Sequence, residues 1–191
     1  MIVRNNALAL IVYRPLSIVR NGVSIMERME KVIEINAPIG VVFSLYSDFE
    51  KFPEWMKSLK EVRRIDERHT KWTANAPLMS VEWEAETTAF EPERRIAWRT
   101  VRGDVEMDGD VTFEESGRER TRMHISLGYE PPAGRLGSLI AHLLGSDPEK
   151  QVDEELKQFA RMAERQAKQT SAKQKKSSAK GVRRGARQRA A

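Results

Sequence analysis

Cysteine is absent from this chain. That excludes disulfides, thiolate metal sites and a cysteine nucleophile, and it fits a reducing cytoplasm, which is the expected location. Histidine is scarce, with three residues: His69, His124 and His142. No HxH or HExxH spacing joins them, so no metal site is expected. His69 lies in a polar turn, His124 alternates onto a polar strand face, and His142 sits off the centre of an apolar helical stripe. No GxSxG elbow, P-loop or GxGxxG occurs, which removes the usual signatures of serine hydrolases and nucleotide binders. No cofactor is expected.

Long hydrophobic runs are missing too. The apolar run from Ala7 to Tyr13 has seven residues and is stopped by Arg14 and Pro15. A membrane span needs about 20, so no transmembrane segment is expected. No small-x-small cleavage pattern follows cleanly. Residues 1–25 therefore read as an extension, either floppy or translated from upstream of a start at Met26 or Met29.

Acid is absent from the last 25 residues. Lys168, Lys173, Lys175, Lys176, Lys180, Arg183, Arg184, Arg187 and Arg189 make nine cations there. Subtracting those nine from the net charge of +5 leaves the preceding chain at −4. The basic character thus belongs to the tail, and a nucleic-acid surface on the fold itself is not expected. Residues 167–191 are expected to be a disordered basic tail, because they have nothing to bury. From Lys168 to Arg189 the tail suits non-specific contact with nucleic acid or an anionic membrane by counterion release, or serves only as a solubilising appendage. It has no aromatic residue for stacking on bases.

What is present is alternation. "MEKVIEI" (residues 29–35) reads as a strand, followed by Pro38 and the short helix "IGVVFSLY". Ser47 and Glu50 have capping-box spacing and open a second short helix, "DFEKFPEWM", limited by Pro53. Six strand-like runs follow, near residues 59–66, 70–76, 81–90, 94–101, 105–113 and 121–129. Short links imply an antiparallel meander rather than alternating βα units. In "SVEWEAETTAF", Val81, Trp83, Ala85, Thr87 and Ala89 share one face, while Glu82, Glu84 and Glu86 share the other. The acidic face is expected to be solvated and to pair with Arg95 and Arg99 on the next strand.

The apolar faces of these strands collect Trp72, Ala74, Val81, Trp83, Ala85, Ile96, Trp98, Met107, Val111, Phe113, Met123, Ile125, Leu127 and Tyr129. One face of a single large sheet is therefore dry and needs a cover. Leu136, Leu139, Ile140, Leu143 and Leu144 form one helical stripe; Val152, Leu156, Phe159 and Ala163 form another. The stripes point roughly 160° apart at about 100° per residue, so Gly145-Ser146-Asp147-Pro148 is expected to break the helix. Ser146 or Asp147 would cap the second helix, with Pro148 in its first turn.

Four stretches in this order carry a family resemblance: "VIEINAPIGVVFSLYSDFEKFPEWM", "ERRIAWRTVRG", "GDVTFEESGRERTRMHISLGYEPPAG" and "ELKQFARMAE". The first is the most specific, with Ala37-Pro38, Asp48-Phe49 and the Phe52-Pro53-x-Trp55 step. Together, over about residues 29–164, they resemble a START-like (helix-grip, Bet v 1-like) domain of the polyketide cyclase/dehydrase and coenzyme Q-binding group. The resemblance implies an α+β fold over residues 26–166. A seven-stranded antiparallel sheet would wrap around a long C-terminal helix, with two short helices after the first strand. It also implies a hydrophobic cavity between sheet and helix that takes a lipid, isoprenoid quinone or polyketide-like molecule. Some members are cyclases or aromatases, others only bind or carry, and one branch acts on ribosomes; the fold does not choose among them.

The candidate ligand-binding residues are Trp72, Trp83, Ala85, Trp98, Met107, Phe113, Met123, Ile125, Tyr129 and Phe159. Large rings beside small residues shape a pocket or interdigitate as ordinary core, and both readings stand. Met107, Met123 and Met162 would be adaptable lining or gap-fillers. Leu156 and Phe159 would close the cavity or simply pack, and Trp55 is expected to anchor the short-helix corner. Tyr129 and Thr100 are the inward polar candidates. No catalytic residue is named, and whether the chain is an enzyme stays open. The first reading is binding or carrying of a hydrophobic small molecule. The alternatives are a polyketide cyclase/dehydratase, which needs an inward acid, base or arginine, and a ribosome- or nucleic-acid-associated protein acting through its tail.

Overall fold

In a computed structural model of the chain, residues 26–75, 80–130 and 148–188 are described. Seven strands form one antiparallel sheet: β1 Glu27–Ile35, β2 Leu59–Arg64, β3 His69–Asn75, β4 Ser80–Glu91, β5 Arg95–Gly103, β6 Met107–Gly117 and β7 Arg120–Tyr129. Their spatial order is β1-β7-β6-β5-β4-β3-β2. The meander from β2 to β7 thus ends beside β1, which pairs with β7 over its whole length, from Glu27 opposite Tyr129 to Ile35 opposite Thr121. Helix α1, Ile39–Tyr46, and a 3-10 helix, Phe49–Glu54, carry the chain from β1 to the far edge at β2. The last helix, α2, runs Pro148–Gln188 and packs on β1 and α1. This is the expected helix-grip arrangement.

The inward strand positions are the ones alternation selects. Trp72, Ala74, Val81, Trp83, Ala85, Ile96, Val111, Phe113, Met123 and Ile125 are all buried. They meet Leu156, Phe159 and Ala163 of α2, which are buried as well. Two register shifts between β4 and β5, at Glu84/Ala85 and Thr87/Ala89, increase the local twist and help the sheet curl around its contents. Gly103 ends β5 at φ 133°, where its backbone lies against the Trp83 backbone, and a Cβ has no room. Gly109, on β6, lies beneath the Trp98 indole, which occupies the place a Cβ would take.

The corner after α1 differs from the sequence expectation. Ser47 and Glu50 do not form a capping box. The Ser47 hydroxyl donates to the Ser44 carbonyl at 3.2 Å, and Glu50 Oε1 accepts from the Arg64 amide at 3.1 Å. The element is a 3-10 helix that contains Pro53. With three residues per turn, Phe49 and Phe52 fall on one face, and both are buried with ring centroids 5.5 Å apart. Packing of that pair, rather than a side-chain cap, holds the turn.

The terminal helix differs too. Among the residues whose burial is described, Ala167 is the last buried one, yet the helix crosses the boundary expected there and continues to Gln188, where a disordered tail was expected. Ala, Lys, Gln and Arg have high helix propensity, and the packed turns from Val152 to Ala167 supply the nucleus that an isolated helix lacks. Pro148 opens α2 as expected. The proposed stripe from Leu136 to Leu144, its helix break and the Ser146 or Asp147 cap lie outside the described residues, as does His142. No helix among the described residues is long and apolar enough to cross a membrane.

On the polar face, the acidic stripe is paired, though not with the partners expected throughout. Glu86 meets Arg99 at 3.1 Å and Arg68 at 2.8 Å, Glu84 meets Arg102 at 2.6 Å, and Glu82 meets Lys71 at 2.7 Å. Arg95 instead points to β6, where its Nε donates to Asp110 at 3.0 Å. Neighbouring strands on both sides compete for each charge, which a strand read alone does not show. His124 Nε2 lies 2.9 Å from Glu30, and His69 Nδ1 lies 2.9 Å from Asp66.

Candidate functional site

The sheet's dry face and α2 do not meet everywhere. Between them, close to the 3-10 corner, is a cavity of about 130 Å³. Its strand wall is Trp72 and Ala74 of β3, Trp83 of β4, Trp98 of β5, Met107 of β6, and Ile125, Leu127 and Tyr129 of β7. Tyr46 of α1, the corner residues Phe52, Trp55, Met56, Ser58 and Leu59, and Val105 continue the wall. Val152, Glu155 and Leu156 of α2 complete its described lining. Trp72 stacks on Trp83 (centroids 5.9 Å, 13° between planes) and on Trp98 (6.3 Å, 24°). The Trp72 indole N–H donates to Thr70 Oγ1 at 2.8 Å, so that ring is fixed from behind.

Six of the ten candidate residues thus share one wall: Trp72, Trp83, Trp98, Met107, Ile125 and Tyr129. The other four, Ala85, Phe113, Met123 and Phe159, are buried core outside that wall. Phe159 stands behind it, with its ring 5.1 Å from Trp55 and 5.6 Å from Tyr46. Met162 packs against the core without lining the cavity. Of the two inward polar candidates, Thr100 accepts the Met107 amide at 3.3 Å and is not in the wall. Tyr129 lines the cavity, and its hydroxyl donates to Glu27 at 2.6 Å.

Beyond Tyr129, the polar groups of the site belong to residues outside the ten candidates. Glu155 is 5% exposed, and its Oε1 accepts from the Ser58 hydroxyl at 2.9 Å and the Ser58 amide at 3.3 Å. Burial raises its carboxyl above the usual carboxylate range, outweighing the hydrogen bonds from Ser58 and Gln151 that favour the anion. Burial likewise pushes the Tyr46 phenol well above its ordinary value. Trp55, expected only as a corner anchor, is 2% exposed and lines the cavity; its Nε1 is buried without a hydrogen-bond partner among the described residues. A second inward charge is Lys31 on β1, 5% exposed and 3.0 Å from Asp153 of α2.

Both acid and lysine carry a sequence signal. Glu155 follows Val152 by three residues and so falls within the apolar stripe of α2. Lys31 alternates with Met29, Ile33 and Ile35. Trp55 had no such signal, because the approach of the corner to α2 is a tertiary event. Among the described residues, no three His, Asp or Glu are grouped to hold a metal ion. The wall contains no Lys, Arg or His among them either.

Other proteins are similar to this chain in fold or in sequence. A protein of Deinococcus radiodurans of known structure is 30% identical, with a TM-score of 0.58 over 72% of this chain and 96% of that one. The Zhui aromatase/cyclase of Streptomyces sp. R1128 has the same fold at 18% identity, with a TM-score of 0.61 over 73% of this chain and 94% of that one. An uncharacterized 17.2 kDa protein of Streptomyces lincolnensis is 24% identical over 147 residues, 76% of this chain and 95% of that protein. Residues 35–157, which run from the end of β1 into the first turns of α2 and include all the described residues of the cavity wall, match the family described as polyketide cyclase/dehydrase and lipid transport. The chain belongs to that family.

Proposed function

We propose that this protein binds a small, largely apolar molecule in the cavity between the sheet and α2, and holds it without transforming it. The observation that carries this reading is the cavity itself. Protein interiors are packed as densely as organic crystals, and voids larger than a water molecule are few. A space of about 130 Å³ lined by four tryptophans is a departure from that rule at the centre of the fold. A dry cavity of about 150 Å³ is enough to take benzene, so the space suits a single ring or a short chain. Each Å² of apolar guest surface removed from water contributes about 25 cal/mol before the costs of association.

Binding is favoured over cyclisation by the chemistry of the wall. Cyclisation of a polyketide would call for acid, base or cationic groups converging on a reacting carbonyl. The described wall offers Glu155, Ser58 and two tyrosine hydroxyls, of which Tyr46 is held neutral by burial. Zhui is an aromatase/cyclase, but its 18% identity extends to the fold and carries no reaction to this chain.

The test is uptake of guests. Gently purified protein is expected to yield an apolar compound on extraction and mass spectrometry. Ala74→Leu, at a wall position 1% exposed, is expected to expel it by filling the space. Protein that carries no guest and takes up no single-ring hydrocarbon in calorimetry would overturn the reading.

A further inference from the structure

We propose that the C-terminal part of α2 docks by one face on the phosphate backbone of a nucleic-acid duplex, without reading its sequence. The helix continues to Gln188, well past Ala167, the last residue whose burial in it is described. At about 100° per residue, Lys173, Lys176, Lys180, Arg183, Arg184 and Arg187 fall within a single arc of about 100° around its axis. Lys168 and Lys175 fall outside that arc. The arc is centred roughly 110° round the axis from Leu156, Phe159, Ala163 and Ala167, which α2 buries, so it does not continue the stripe that grips the sheet. A count along the chain gives only a basic tail. Helical winding is what gathers six of its cations on one side, in a row about 21 Å long at 1.5 Å per residue.

Left to itself, such a row is unfavourable. Lys173 and Lys176, Lys176 and Lys180, Lys180 and Arg183, and Arg183 and Arg187 are three or four positions apart, where like charges on a helix repel. No acid between residues 167 and 191 offsets them. A polyanion laid along the row turns that repulsion into attraction and releases its own condensed counterions. A duplex fits better than the other polyanionic surfaces. A helix lying on a membrane sinks an apolar face among the headgroups, and beyond Ala167 the one large apolar residue is Val182. Single strands are held by stacking on aromatic residues, and this segment has none. What it offers is contact with phosphates, which positions a duplex without specifying its sequence. The apolar cavity plays no part in this contact.

The test uses the full-length protein and a fluorescein-labelled DNA duplex of mixed sequence, about 20 base pairs long, followed by anisotropy across a salt series. Log K is expected to fall against log[salt] with a slope of about −5, the value for six neutralised phosphates. A duplex of unrelated sequence should bind within about twofold of the first. Helix content in far-UV circular dichroism should rise on binding, as the repulsion along the row is relieved. A rearranged chain then separates the face from the charge. Exchanging Lys176 with Ser178, Lys180 with Gly181 and Arg187 with Gln188 keeps composition and net charge but leaves three of the six cations on the arc. It is expected to lower the slope to about −3 and to weaken binding at least about tenfold. Unchanged slope and affinity in the rearranged chain would overturn the proposal, because charge count alone would then explain the binding. So would failure of the wild type to bind the duplex at low salt, or tighter binding to vesicles of about one-third phosphatidylserine at the same salt.

Discussion

At the scale of single residues, the least ordinary side chain is Glu155. A carboxyl whose value is raised by burial binds its proton more tightly folded than unfolded. Its burial is therefore harmless below the ordinary value of 4.5 and costs stability as pH climbs through the raised folded value. Glu155→Gln removes that cost, so its stability relative to wild type is expected to improve between pH 4 and pH 8 in urea unfolding. A gap that stays constant over this range would show that Glu155 is not the group responsible. Gly109 offers a second check. Any side chain there must displace the Trp98 indole, and Gly109→Ala is expected to cost about 1–3 kcal/mol by overpacking. Altered tryptophan fluorescence should accompany it. Glu155 and Lys31 were both legible as charges on apolar faces, whereas the Trp55 nitrogen, without a partner among the described residues, was not. Which donors lack partners depends on atoms brought in from elsewhere in the chain.

At the scale of elements, the last helix and the sheet divide the energetics unevenly. Phe159 is fully buried and touches Trp55 and Tyr46, so Phe159→Ala is expected to cost about 3–5 kcal/mol. The ion pairs on the outer face are expected to matter little. Arg95→Ala breaks the contact to Asp110, but both partners are part-exposed, and the loss should stay under about 1 kcal/mol. Denaturant titrations of the two variants give the comparison directly. Strand identity and facing were readable because period-two alternation needs only neighbours in sequence. The 3-10 form of the corner and the pairing of Arg95 with Asp110 were not, since packing of Phe49 on Phe52 and competition between adjacent strands settled them.

At the scale of the whole molecule, α2 is a clamp for its first five turns and is exposed over residues 168–173 beyond them. Ala167 is the last described residue that it buries, and residues 168–173 are exposed. A chain ending at residue 170 is therefore expected to match full-length stability within about 0.5 kcal/mol. If the cations from Lys168 to Arg189 dock on nucleic acid or an anionic membrane, the same truncation, which removes all of them but Lys168, is expected to abolish that contact, as is added salt. The sequence by itself determined the strand faces, the antiparallel order, the covering helix and the separation of an acidic body from a basic end. Each follows from local periodicity or from charge counted along the chain. Only the tertiary structure decided that sheet and helix leave room near the corner, that Ala85, Phe113, Met123 and Phe159 are buried outside its described wall, and that Trp55, Ser58 and Glu155 lie within it. A void is the difference between surfaces from distant segments, and no segment encodes it alone.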